Sequence, residues 1–242
     1  WSRINDDFYD SSVYVPLFLT DDFFTNVIIY PNFSPSDFRI QIDLYDKTGE
    51  KIHGLNDFMT IKSQESKLVQ IDFKKIINDL NLDKHSISSA HIITKFLSSK
   101  IPSRIKFGLN VGIEKSKSKL PCNICFNTKI GNPNIDLKPG SFHWAPVFIQ
   151  NSVITISNSS PKKNYTKDAE VELNFYRKED STTISKKIQL KPFSEFRLTL
   201  DDDLKNFLKE DGWVTLKSNN PYIQGYYFIF HSSGSVAGDH FF

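Results

Sequence analysis

The stretch AEVELNFY, Ala169 to Tyr176, sets Ala169, Val171, Leu173 and Phe175 against Glu170, Glu172, Asn174 and Tyr176. Strict alternation marks a β-strand with one face in a core, because successive side chains leave a strand on opposite sides. The rhythm occurs twice. FRIQIDLY, Phe38 to Tyr45, places Phe38, Ile40, Ile42 and Leu44 inward in the same way.

The agreement continues outward from these two strands. YVPLFL (Tyr14 to Leu19) stands against WAPVFI (Trp144 to Ile149), and NVIIYPNFSP (Asn26 to Pro35) against SVITISNSSP (Ser152 to Pro161). Turns follow each alternating strand, KTGEK and RKEDS, then further strand runs through LVQIDF and FRLTL. A short amphipathic helical turn comes next in each copy. One carries Ile76, Ile77 and Leu80; the other carries Leu204, Phe207 and Leu208, with Asp201 or Asp202 as its N-cap. IKFGLNVGI and LPCNICF close the first unit, YIQGYYFIF and VAGDHFF the second, the last two joined by a hairpin loop over Ser232 to Ser235.

Elements recurring in this order predict an all-β chain of two tandem antiparallel β-sandwich domains related by internal duplication, each with a short helical turn. The Pro- and Gly-bearing stretch from Asn127 to Ser141 marks the boundary. The first domain then spans 1–130, a linker 131–141 and the second domain 142–242. Pro16 and Pro146 are expected at a sheet edge or strand end, where a missing N–H does no harm.

Composition agrees. Alanine, the best helix former, occurs only at positions 90, 145, 169 and 237, beside 21 Phe and 9 Tyr, which tilts the chain toward strands. A net charge of +2 with no basic stripe argues against nucleic acid. No apolar run reaches the length of a membrane span and no signal-peptide pattern opens the chain, so a soluble protein with a cytoplasmic location is expected. Three sequons begin at Asn32, Asn158 and Asn164.

From Trp144 onward, WAPVF, ISNSSP, KDAEVELNFY, FRLTLDDDL and NPYIQGYYF resemble, in order, the sensory rhodopsin transducer family of small β-sandwich proteins. The likeness covers most of residues 142–242 and, more faintly, 12–126. It implies oligomers that pass a signal by binding a partner protein. The second copy and the ending GDHFF depart from the family pattern, and no binding residue is carried over.

No phosphate-binding loop, dinucleotide fingerprint, nucleophile elbow or HExxH motif is present. Cys122 and Cys125 fall in a strand, on opposite faces, with no second pair to complete a zinc site. His143, His231 and His240 all lie in the second unit. A regular hairpin would pair His231 with Val236 and Tyr227 with His240, putting His231 and His240 roughly 13 Å apart, too far to share one ion. No cofactor, metal or catalytic residue is expected. Both faces of YIQGYYFIF are apolar, which predicts cover from another domain or subunit along this strand.

The candidate binding residues are therefore the amphipathic rings Trp144, Trp213, Tyr222, Tyr226 and Tyr227, with Asp239 and His240 of the terminal motif. The leading function is a non-catalytic binding or assembly protein that meets a protein partner or itself. A carbohydrate-binding module stacking sugars on the same rings is the alternative, and a metal-assisted enzyme using the histidines ranks third.

Overall fold

Phe38, Ile40, Ile42 and Leu44 are all fully buried, while the charged Arg39 between the first two is exposed. Ala169, Val171, Leu173 and Phe175 repeat this in the second copy. These are facts of a computed structural model, which describes residues 2, 6–20, 22–102, 105–116, 120–180 and 182–242. Strands hold 53% of the described residues and helices 8%, so the protein is all-β.

The N-terminal half runs β1 (Ser11–Pro16), β2 (Phe23–Ile29), β3 (Asn32–Phe33), β4 (Phe38–Tyr45), β5 (Lys51–Ile61) and β6 (Gln64–Glu65). It continues through β7 (Val69–Asp72), α1 (Phe73–Asp79), β8 (Ser89–Phe96), β9 (Lys106–Ile113), β10 (Cys122–Asn127) and β11 (Lys129–Ile130). A 3-10 helix over Pro133–Leu137 interrupts the stretch read as a linker. The C-terminal half then runs β12 (Ser141–Val147), β13 (Ser152–Asn158), β14 (Ala169–Tyr176), β15 (Thr183–Leu190) and β16 (Glu195–Thr199). It ends with α2 (Asp202–Leu208), β17 (Gly212–Ser218), β18 (Ile223–Phe230) and β19 (Val236–His240).

The sheet orders match between halves. β11-β1-β8-β4-β5 and β10-β9-β2-β7 form the first pair, β12-β17-β14-β15 and β16-β13-β18-β19 the second. Apart from the added β11 and the small β3–β6 pair, each strand of one half has a counterpart with the same neighbours. The helices occupy the same slot, capped by Asp72 accepting from the Lys75 N–H at 3.0 Å and by Asp201 accepting from the Leu204 N–H at 2.9 Å. Pro146 lies on the edge strand β12, and Pro16 ends β1.

In each half the inner faces of the two sheets meet in one apolar cluster. Val15, Ile40 and Ile92 face Val27, Leu109 and Ile124 in the first; Ala145, Leu173 and Leu216 face Ile154 and Ile223 in the second. The first cluster also takes in Tyr226, Phe228 and Val236 from the C-terminal half. Phe228 lies 5.0 Å from Phe18, and Phe230 lies 5.1 Å from Phe23. The cover expected for YIQGYYFIF is therefore the other half of the same chain, with Ile223 and Phe241 facing the second core.

Two expected registers change. In the terminal hairpin Phe230 pairs with Val236 and Tyr226 with His240, one residue away from the expected ladder. The turn closes through His231 N–H to Ser235 O and Gly234 N–H to His231 O, which leaves His231 outside the strand pair. The letter match of NVIIY with SVITI is also one residue out. Val27 points into its own core, whereas Val153 packs outward against the first cluster and Ile154 faces in. With a side-chain period of two, a shift by one exchanges the faces, so similar letters need not be equivalent positions.

Among the described residues no helix is long and apolar enough to cross a membrane. Cys122 is buried and Cys125 exposed, both as free thiols. Asn158, the second sequon, is fully buried and donates to Lys167 O and Leu190 O, so it serves the fold.

Candidate functional site

The sheet β12-β17-β14-β15 turns its inner face to the core and presents rows of side chains on the other. Register places Trp144 beside Thr215, Asn174 and Ser185, and Pro146 beside Trp213, Tyr176 and Thr183. A third row holds Phe142, Lys217, Glu172 and Lys187. Trp144 is 46% exposed, Trp213 37% and Phe142 59%. Tyr176 stacks on Trp213, with centroids 5.5 Å apart and ring planes within 6°. Phe242 lies 5.3 Å from Trp144, its backbone N–H and C=O both bonded to Trp144 along the free edge of β12. The result is an aromatic platform flanked by hydrogen-bonding side chains and opening onto a depression of about 590 Å³ lined by Glu172, Lys187, Gln189 and Lys217.

The corresponding face in the N-terminal half is built alike and is covered. Tyr14 stands beside His91 and Asp43 as Trp144 stands beside Thr215 and Asn174, and Pro16, Ser89 and Tyr45 match Pro146, Trp213 and Tyr176. One turn of the C-terminal half lies on it, and a second binds the segment just before β1. From the β15–β16 turn, Phe193 stacks on Tyr45 at 5.0 Å and 17° and lies 5.3 Å from His91, and its carbonyl accepts from the Tyr14 hydroxyl. From the β13–β14 turn, Pro161 O accepts from the Tyr9 N–H at 2.8 Å, and Lys163 N–H donates to Asp7 O at 2.8 Å. Gly49 makes the approach possible. Its φ is +90°, and a Cβ there would meet Pro192 O at 2.3 Å.

Burial sets the charge states at this contact. It pushes the His91 imidazole down to about 3, so His91 is neutral in the packed face. It pushes Glu195 up to about 7 against the opposing pull of Arg197, whose guanidinium lies 2.6 Å from Glu195 Oε1. Arg197 also reaches Leu17 O at 3.2 Å and lies over the Phe18 ring at 4.3 Å, tying the halves together.

The candidate residues thus divide. Trp144 and Trp213 share the open face. Tyr222 and Tyr226 are each 1% exposed: Tyr222 donates to Asp136 at 2.6 Å, and Tyr226 packs in the first cluster, so neither ring is available to a ligand. Tyr227 is half-buried against the second core. The Asp239 carboxylate holds His240 Nδ1 at 2.7 Å. His240 and His143 line one cleft of about 340 Å³ with Lys129 and Cys125, while His231 sits exposed on the hairpin. Burial lowers the Lys129 ammonium to about 8; burial, followed by repulsion from Lys129, lowers the His143 imidazole. Among the described residues no group of three or more His, Cys, Asp or Glu side chains is placed to hold a metal ion.

Sequence reasoning missed Tyr176, Phe142 and Phe242. Tyr176 was legible as an outward residue of AEVELNFY. Its partnership with Trp213 depends on the β14–β17 pairing, across which no local pattern reports.

No protein family matches the chain, and no curated protein does. Among solved structures it is similar to a pilus backbone from Streptococcus pneumoniae, at 10% identity over 99% of this chain and 84% of that one, with a TM-score of 0.21. A glycosyl hydrolase family 2 member from Bacteroides cellulosilyticus matches at 9% identity over 95% of this chain and 27% of that one, with a TM-score of 0.18. A chaperone–tip adhesion subunit complex of Acinetobacter baumannii matches at 10% identity over 94% and 97%, with a TM-score of 0.15. Likeness at this level assigns this chain neither a fold nor an activity.

Proposed function

We propose that this chain is a non-catalytic binding and assembly protein made of two duplicated β-sandwich domains, and that the open face of β12-β17-β14-β15 is its recognition surface. One observation carries the reading: the equivalent face of the other half is already a protein-docking surface, occupied by Phe193 and its turn. An aromatic face of the same build, left open with Trp144, Trp213 and Phe142 exposed, suits an external partner. The transducer resemblance of residues 142–242 is compatible with this, since that family works through a bound protein.

A second reading, carbohydrate binding, is favoured by the stacked Tyr176–Trp213 pair beside Asn174, Glu172 and Lys187, because flat rings with flanking polar groups suit sugar faces.

The test compares the full chain with the double variant Trp144→Ala/Trp213→Ala. Soluble oligosaccharides of glucose, galactose and N-acetylglucosamine are titrated by tryptophan fluorescence, and protein analytes, including the chain itself, by biolayer interferometry. The assembly reading expects a saturable protein signal that the double variant loses; the sugar reading expects a fluorescence change on oligosaccharide addition. Binding that the double variant retains in full would overturn the assignment of this face.

A further inference from the structure

The two halves meet in two places: β18 and β19 pack Tyr226, Phe228 and Val236 into the first core, and beside this lies a second, one-directional contact. In this second contact the C-terminal half contributes two turns, residues 159–168 between β13 and β14 and residues 191–194 between β15 and β16. The N-terminal half contributes a sheet face, centred on Tyr14, His91 and Tyr45. Because the sheets have the same order in both halves, each half possesses both surfaces. One of each is used inside the chain, and one of each remains.

The unused face is the Trp144–Trp213–Tyr176 platform. The unused turns are those between β2 and β4 and between β5 and β7, which the β3–β6 pairing (Asn32 with Glu65, Phe33 with Gln64) binds into one end. That end carries Phe33 at 77% exposure and Leu68 at 62%, among the most exposed large apolar side chains described. Phe33 lies in the segment NFSP, the counterpart of NSSP, whose Pro161 already bonds across the contact inside the chain. The end that docks in one half is therefore apolar and unoccupied in the other.

We propose that the occupant of the open face is a second copy of this chain, whose Phe33/Leu68 end docks on Trp144, Trp213 and Tyr176 as the Phe193 end docks on Tyr14, His91 and Tyr45. This rests on the assembly reading above and names its partner. The interface is heterologous, with different surfaces on the two chains, so each docked copy leaves one free end and one free face. Such a contact propagates into a filament, or into a ring if the rotation closes. The Phe33/Leu68 end differs in detail from its counterpart: seven residues, Lys62 to Leu68, replace the four of Lys191–Ser194, and the apolar groups come from both turns.

Sedimentation velocity on the full chain, from micromolar to millimolar concentration, tests this together with two variants at exposed positions. Phe33→Ser/Leu68→Ser removes the end and keeps the face; Trp144→Ala/Trp213→Ala removes the face and keeps the end. The expected result is species larger than dimers, growing with concentration, for the unmodified chain, and monomers for each variant alone. An equimolar mixture of the two variants should give a dimer and nothing larger, because it restores one end–face contact and blocks the next. A chain that stays monomeric throughout, a self-limiting dimer of the unmodified chain, or a mixture that stays monomeric would overturn the proposal. If the unmodified chain is monomeric but its oligosaccharide or other protein binding is lost in Trp144→Ala/Trp213→Ala, self-docking falls and the binding function stands. If that variant changes neither association nor binding, both fall.

Discussion

Tyr14 and Trp144 hold the same place in two sheets of the same strand order, yet one is 1% exposed and the other 46%. Their neighbours within the sheet do not account for this, since an aromatic and a proline accompany each, Tyr45 with Pro16 and Tyr176 with Pro146. The difference comes from across the molecule. Phe193 and its turn lie on the first face, and no described segment lies on the second in the same way. An amphipathic strand therefore carries two questions, which side is inner and what meets the outer side, and only the first is local.

That comparison can be broken hardest at its hub. Phe228 is fully buried where the C-terminal half enters the first core. Phe228→Ala should cost about 4 kcal/mol, read as a lowered urea midpoint, and should split one unfolding transition into two as the halves uncouple. A single transition at an unchanged midpoint would show that the contact contributes little.

Uncovering the first face is expected to cost less. Phe193→Ala removes a half-buried ring stacked on Tyr45 and should destabilise by about 2–3 kcal/mol, below the range for fully buried phenylalanine. It should also raise the acrylamide quenching of tyrosine emission as Tyr14 and Tyr45 gain solvent.

Glu195 makes the covered contact sensitive to pH. Its folded value of about 7 lies above its ordinary value of 4.5, so its contribution to stability is complete below about 4.5 and is lost as pH rises through 7. The groups around it are Arg197 and, along the same cleft, Asp46, Lys47, Lys84 and His85. The melting temperature of the unmodified chain should therefore fall relative to Glu195→Gln between pH 5 and 8. Parallel pH profiles for the two proteins would remove Glu195 from the account.

The open face should register least. Trp213→Ala loses a stack with Tyr176 and should cost about 1 kcal/mol, and Trp144→Ala about 0.5 kcal/mol, by thermal melts of the dilute chain. A tryptophan truncation costing less than a phenylalanine truncation at the matching contact would sharpen the contrast between the two faces; a loss above that of Phe193→Ala would abolish it.

Much of the fold was legible in particular residues. The alternations of FRIQIDLY and AEVELNFY assign their inner faces correctly, and Asp201 caps its helix. The apolar character of both sides of YIQGYYFIF pointed to a second covering layer, which Phe18, Phe23 and Phe126 supply. Less of the site could be read. Trp144 and Trp213 were identifiable as candidates, but Tyr222 and Tyr226 carry the same amphipathic chemistry and are buried, one against Asp136 and the other in the contact between halves. The hairpin register slipped by one residue because a turn with glycine at positive φ closes at its own length, and that carried His240 to the side of the first half.

By itself the sequence determined the alternating strands, where the second helix begins and which side of each alternating strand is apolar. Those properties arise from bonds and spacings within a few residues. Tertiary structure alone decided that Tyr14 is sealed and Trp144 is open, that Tyr176 completes a platform with Trp213, and that His143 and His240 line one cleft. Each of these depends on strands and turns brought together from distant parts of the chain, and a side-chain period of two says which way a residue points without saying what it will meet there.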